Sequence, residues 1–275
     1  MDTKKIRINK INAMMGRWYG LKYRIAHRLH ISTYIKMLDR KNLKLKLWGK
    51  YVIYLRLFSR DFDFFENIFV GEFNGKEFVG EYDLEIGDVD EIMDLGANIG
   101  LFSILYAIRY PEKRIIALEP EANNYKQLLL NTKQFDNVQC VNSGVWYRNH
   151  TVKVFPSRVP IHGDKSYSDG AFYIGECKED EDSASEGLSI EYLEQKYQMK
   201  NYMVKMDIEG AEYEIFHDGE LKWLDSSPLV VMETHEWLLP DSHVDELVDN
   251  TMTNKGYSKT QLGENRIYRK LVKKD

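Results

Sequence analysis

Glu91-Ile-Met-Asp-Leu-Gly-Ala-Asn-Ile-Gly-Leu-Phe-Ser103 decides how this chain is read. The apolar run ending at Asp94 predicts a short buried strand, Gly96 and Gly100 a tight turn, and Leu101 the start of a helix. A turn of that shape brings backbone N–H groups and a helix N-terminus against a ligand at the carboxyl end of a parallel strand. A second buried run, Arg114-Ile-Ile-Ala-Leu-Glu119-Pro120, ends in a carboxylate 25 positions after Asp94. An acid at the end of the next strand is the usual hook for ribose hydroxyls. Together the two segments predict a site for an adenosine-containing cofactor on Asp94, Gly96, Ala97, Asn98, Gly100, Glu119 and Pro120.

The spacing and charge of the turn narrow the choice. Dinucleotide sites set their glycines close together in G-x-G-x-x-G to cradle a pyrophosphate. Here three residues separate Gly96 from Gly100, and Asp94 puts a carboxylate where a diphosphate would be repelled. That carboxylate suits a ligand carrying an ammonium and a sulfonium, which is S-adenosyl-L-methionine. The competing reading, a strand–helix turn with no ligand, accounts for Gly96 alone but leaves the constellation unexplained.

Around this centre the chain alternates strand and helix from residue 81 onward, the pattern of a parallel α/β sheet. Strands are predicted over 92–95, 115–118, 138–141, 203–206 and 229–233. Helices are predicted over 101–110, 121–135 and 189–197, with another starting over 211–216. A hairpin is expected through 145–147 and 152–155, and residues 244–271 read as one more helix and an antiparallel pair. Residues 156–187 are rich in Pro, Gly, Ser and acids, too long for an ordinary connection, and read as a solvated insertion or a lid, with His162 a lid candidate. Upstream, residues 3–40 look helical, 42–58 alternate as a hairpin about Gly49-Lys50, 61–70 form a short helix and 71–80 a loop. The division expected is a basic N-terminal extension over 1–80 and a cofactor-binding domain over 81–275.

Composition bounds the setting. A chain of 275 residues suits one α/β domain with an appendage. No apolar run approaches the ~18 residues that span a bilayer, and no secretory signal is evident at the start. Cys140 and Cys177 stand outside any metal-ligand spacing, which fits a reducing cytoplasm. The net charge of −5 hides an asymmetry: residues 1–60 carry sixteen Lys and Arg against Asp2 and Asp39, and acids dominate the remainder. Ile11, Met14, Met15, Trp18 and Tyr19 set among those cations resemble an interfacial helix. Packing on the acidic body or on a second subunit, peripheral contact with an anionic membrane or acceptor, and nucleic-acid binding compete; the last is disfavoured because no recognition motif accompanies the charge.

Four segments carry a family resemblance. Asp94-Leu-Gly-Ala-Asn-Ile-Gly100, Glu119-Pro120, Lys205-Met-Asp-Ile-Glu-Gly-Ala-Glu212 and Glu233-Thr-His235 are similar to the FkbM-type S-adenosylmethionine-dependent methyltransferases, over residues 50 to 270. The resemblance implies a seven-stranded class I methyltransferase (Rossmann-like) sheet behind an N-terminal helical and hairpin extension. It also implies a hydroxyl on a sugar, glycan or related metabolite as the acceptor. One departure stands out: many such enzymes place an acid after the third strand to meet the adenine amine, whereas this chain has Ser143-Gly144 there.

In-line methyl transfer to an oxygen needs alignment and a group to take the hydroxyl proton. Asp207 ends strand four beside strand one, facing the sulfonium end of the cofactor. Glu209 lies on the following turn, where capping of the next helix is its competing role, and Gly210 gives that turn its freedom. Glu233 and His235, two apart at the end of strand five, are expected on one side, with the carboxylate raising the imidazole's basicity. His235 is the first choice for general base and Asp207 the second. Asp207, Glu209, Glu233 and His235 could hold Mg²⁺ or Ca²⁺, but no spacing demands it and no metal is expected. Lys205 reads as a structural pair, and Trp146 and Tyr147 as core packing rather than adenine cover. Two other classes compete: an interaction protein that has lost catalysis and docks through the basic arm, and a dehydrogenase, disfavoured by the glycine spacing and Asp94.

Overall fold

The computed structural model describes residues 34–37, 42–47, 49–56, 59–70, 72–73, 78–156, 172–178 and 184–271. The chain divides into two compact units, Met1–Asp83 and Leu84–Asp275.

In the first unit, β1 (Tyr34–Met37), β2 (Asn42–Leu47) and β3 (Tyr51–Arg56) form an antiparallel sheet in that order. Leu43 faces Leu55 and Leu45 faces Ile53, and these four side chains with Leu47 are buried. A helical turn, α1 (Asp61–Phe65), continues as a π turn over Glu66–Val70. Asp61 ties it to the sheet by accepting from the Arg56 backbone N at 2.7 Å and from its guanidinium at 2.7 Å. Two expectations change here. Residues 34–37, read as helix, are a strand, because Ile35 and Met37 fall in register with Leu45 and Leu43 on a neighbour the local pattern does not reveal. Residues 71–80 include a short antiparallel pair, β4 (Glu72–Phe73) and β5 (Phe78–Val79). The remainder of the arm predicted as helix lies outside the described residues.

The second unit opens with β6 (Glu91–Leu95), α2 (Leu101–Arg109), β7 (Arg114–Leu118), α3 (Ala122–Thr132) and β8 (Val138–Val141). Then come β9 (Gly144–Val145), β10 (His150–Pro156), β11 (Phe172–Glu176), β12 (Ala184–Leu188) and α4 (Ile190–Tyr197). The remainder is β13 (Tyr202–Met206), α5 (Glu212–Asp218), β14 (Leu229–Met232), α6 (Val244–Asn254), β15 (Tyr257–Leu262) and β16 (Asn265–Lys270).

Seven of these strands form one sheet in the order β15-β16-β14-β13-β6-β7-β8. The five from β14 to β8 are parallel, and β16 runs against β14. Strand order reverses between β6 and β13, and in open α/β sheets ligands bind outside the carboxyl ends of the strands at such a point. Both strands are fully covered from Met93 through Leu95 and Tyr202 through Met206, as central parallel strands must be. Each buried Leu or Met there, such as Leu95 and Met206, contributes about 1.5–3 kcal/mol. This is the class I methyltransferase sheet that the sequence implies.

The region after β8 departs from expectation. β9 and β10 do not form a hairpin: β12 lies between them, antiparallel to β10 and parallel to β9, and β11 pairs with the other edge of β10. The flanks of the segment read as an insertion are therefore strands. Gly187 makes the packing possible, since a Cβ there would stand 2.6 Å from Val152 Cγ1. His162 and residues 179–182 lie outside the described residues.

Candidate active site

The turn after β6 is shaped by what lies under it. Gly96 has φ +75°, and a Cβ on it would fall 1.8 Å from the Asp207 carbonyl oxygen. Only glycine lets the β6 turn lie against the end of β13. Asn98, also in the left-handed region at φ 50°, is a residue type that tolerates it. Gly100, at φ +86°, starts α2 and packs on Leu128. Ala97 is buried, and its N–H donates to the Leu118 carbonyl at 2.7 Å, joining the turn to β7.

Asp94 is fully buried beneath this turn. One carboxylate oxygen accepts from Ser103 Oγ at 2.6 Å, and the other faces Lys205 Nζ at 3.3 Å. Burial raises its pKa, and Lys205 opposes the rise. Lys205 is itself buried, stands 3.6 Å from Asp207 and donates to the Gly96 carbonyl at 2.7 Å. Its ammonium ties the two carboxylates to the glycine turn, which is the structural pairing the sequence predicts.

Glu119 ends β7 and accepts from the Asn98 N–H at 2.8 Å and the Glu121 N–H at 2.9 Å. Burial pushes its carboxyl up to about 7, the two N–H bonds opposing. Pro120 follows, and Asn142 Nδ2 donates to the Glu119 carbonyl at 2.8 Å, bringing the end of β8 alongside. Ser143 is buried and Gly144 opens β9. Asn98 Oδ1 and Ser143 Oγ are buried without a hydrogen bond. Buried polar atoms are rarely left so, and two at the strand ends where an adenosyl group is expected fit a polar ligand there.

At the ends of β13 and β14 a second cluster gathers. The Asp207 N–H donates to the Leu95 carbonyl and the Glu233 N–H to the Met206 carbonyl, both at 3.1 Å, which fixes both residues at the switch point. His235 is buried, with Nδ1 2.9 Å from Glu212 Oε1. Its Nε2 looks toward Asp207 and Glu209 oxygens at 3.6 Å and a Glu233 oxygen at 3.7 Å. The four expected catalytic residues are thus within reach of one another, but the carboxylate that holds the imidazole is Glu212 rather than Glu233. Glu212 is buried at the start of α5, where it also accepts from the Gly210 N–H at 2.8 Å. Its signal in the sequence was the last acid of Asp-Ile-Glu-Gly-Ala-Glu, which helix periodicity turns back toward the sheet.

The electrostatics follow from this crowding. Burial works to lower the His235 pKa, but Glu212, Glu209 and Asp207 override it and hold the ring well above the usual histidine value. The Glu209 carboxyl is pushed up to about 8 by burial and its acidic neighbours, with His235 opposing. Glu209 also sits at φ 55°, a backbone strain of roughly 1–3 kcal/mol that points its side chain into the cluster instead of capping α5. Asp207, Glu233 and His235 each offer one donor atom within 4.8 Å of the others, a set that could hold a divalent cation. Trp146 is packed in the core with its indole N–H on Glu176.

A seven-stranded sheet in this order, with a glycine turn, a buried acid ending β7 and a polar cluster at its switch point, is the architecture of the class I methyltransferases. Residues 94–259 match the model of the methyltransferase FkbM domain, and the chain belongs to that family. It is a methyltransferase, and its cofactor is S-adenosylmethionine. The methyltransferase sdnD of Sordaria araneosa is 26% identical over 196 residues, which cover 62% of this chain and 74% of that protein. Among solved structures, a precorrin-6y C5,15-methyltransferase from Geobacter metallireducens aligns over 69% of this chain and 84% of its own, at 16% identity and TM-score 0.35. TYW2 of P. horikoshii aligns over 89% and 78%, at 13% identity and TM-score 0.37. No helix of the described residues is long and apolar enough to cross a membrane.

The Glu119 geometry makes a prediction about cofactor binding. Ribose hydroxyls donating to Glu119, the role the sequence predicts for it, favour the ionised form and lower its pKa from about 7. Affinity for S-adenosylhomocysteine is therefore expected to fall as pH drops below 7 and to level off above it. Calorimetry at pH 6.5 in buffers of different ionisation enthalpy should show a proton released on binding, and Glu119→Gln should release none.

Proposed function

We propose that the protein transfers the methyl group to a hydroxyl of a sugar, glycan or related metabolite, with His235 taking the hydroxyl proton. The observation that supports this reading is the buried Glu212–His235 pair at the switch point, Nδ1 to carboxylate at 2.9 Å. When bound, S-adenosylmethionine supplies an electrophilic methyl on a sulfonium. Asp94, Gly96, Ala97, Asn98, Gly100, Glu119, Pro120, Ser143 and Gly144 are the residues we assign to holding it. Glu212 keeps the proton of His235 on Nδ1 and leaves Nε2 as the accepting atom. Asp207, Glu209 and Glu233 accept hydrogen bonds from the acceptor's neighbouring hydroxyls and orient it, Asp207 standing second as base. Nitrogen acceptors need less help from a base, so a supported imidazole favours oxygen. The free thiols Cys140 and Cys177 support a cytoplasmic setting.

The test is transfer of labelled methyl to a panel of glycosides and glycans by wild type and His235→Ala. Transfer to oxygen that drops by ~10²–10⁴-fold in the variant fits the reading. Transfer to nitrogen or carbon, or an unaffected variant, would overturn it. The pH profile adds a sign. Because His235 is held above the ordinary histidine range, its basic form appears only above that range. Turnover is expected to climb through mildly alkaline pH rather than level off near 6.5.

A further inference from the structure

We propose that Trp237 is the platform on which the acceptor ring lies, and that this ring is polyhydroxylated and neutral or cationic, never anionic. The inference rests on the reaction proposed above and adds the acceptor's charge and the residue that positions it. Trp237 is 43% exposed, on the loop that follows β14. Only five large apolar side chains among the described residues are exposed, and Leu239 on the same loop is another of them. Large indoles are normally well covered, so two such side chains within three residues beside the catalytic cluster mark a contact surface. The loop is held in shape: the Leu238 N–H donates to the His235 carbonyl at 2.9 Å and the Leu239 N–H to the Glu236 carbonyl at 3.0 Å. Leu238 Cδ1 reaches to the space beside Gly210, on the turn that carries Glu209.

The indole meets the His235 ring edge to face, with centroids 6.2 Å apart. The platform is thus one ring removed from His235 Nε2, and on this proposal the ring lying on it presents its rim to the imidazole. The C–H face of a sugar is apolar and its rim is hydroxyls, which matches an aromatic floor bordered by carboxylates. Asp207 and Glu233 are half-buried against the same imidazole, 3.6 and 3.7 Å from its Nε2, presenting acceptors to O–H or N–H groups. An ammonium gains twice, from the indole face and from the acids. A carboxylate or phosphate on the same ring meets like charge, so the acidic border selects against it.

The test uses three monosaccharide probes, methyl glucoside, glucosamine and glucuronate, followed by saturation-transfer NMR on protein loaded with S-adenosylhomocysteine. Calorimetry with S-adenosylhomocysteine alone comes first, and failure there counts against the methyltransferase site and not against the platform. With loading established, signals are expected from the glucoside and glucosamine but not from glucuronate. Trp237→Ala should weaken them about tenfold, and Trp237→Phe should restore most of the loss. Equal binding of glucuronate, no binding by any probe, or an unaffected Trp237→Ala would each overturn the proposal.

Discussion

Glu212→Gln is expected to lower the plateau rate of methyl transfer by on the order of 10²–10³-fold while leaving cofactor binding in place. The substitution keeps the size of the side chain and removes its charge. In the proposed mechanism that charge does two things: it fixes the His235 proton on Nδ1 across 2.9 Å, and it stabilises the imidazolium formed when Nε2 takes a proton. An amide can do neither reliably, since it offers an oxygen or an NH₂ to the ring. The pH profile separates this effect from simple damage. Glu212 is the foremost group raising the His235 pKa against burial, so the ascending limb should move to lower pH as the plateau falls. A merely loosened fold would lower the rate without moving the limb. The glutamine also cannot accept from both the Ile208 and Gly210 N–H groups, so a loss of about 1–3 kcal/mol in stability is expected alongside. An unchanged rate and unchanged limb would remove His235 from the chemistry.

Gly96→Ala should have the largest effect on the fold. The added methyl would stand 1.8 Å from the Asp207 carbonyl oxygen, on backbone that has no freedom to withdraw. That oxygen belongs to the residue whose own N–H is bonded to Leu95, so relief at one strand end breaks the other. The left-handed backbone at φ +75° adds its own penalty. A loss above ~4 kcal/mol is expected, a large share of the ~5–15 kcal/mol that holds a domain together. Gly87→Ala is the control. It has φ +68° but nothing within 4 Å of the new methyl, so it should cost only about 1–2 kcal/mol. Thermal melts of the two variants compare collision with conformation directly.

These two residues also show what the sequence did and did not carry. The strand-turn-helix around Gly96 was legible because it is local: apolar run, glycines and helix start all fall within thirteen residues. The reason Gly96 must be glycine was not, since Asp207 is 111 positions away. Asp207, Glu209, Glu233 and His235 were legible as ends of buried strands, which a parallel sheet necessarily brings together. Their pairing was not, because it depends on how α5 turns Glu212 under the imidazole. Lys205 was legible as a structural pair, but its partners Asp94 and Asp207 were not, because they come from two strands far apart in sequence. β1 and the β9–β12 sheet were missed because antiparallel and parallel partners far apart in sequence leave no periodic mark on a short segment.

The central claim is that the β6 turn and the acid ending β7 form the cofactor site. It is tested most directly by calorimetric titration with S-adenosylmethionine at pH 8, wild type beside Glu119→Gln, with melts confirming that both are folded. Micromolar binding by wild type, weakened about 10–100-fold by the substitution as a lost hydrogen bond to a charged group requires, is the predicted result. No binding by folded wild-type protein, or equal binding by the variant, would contradict it.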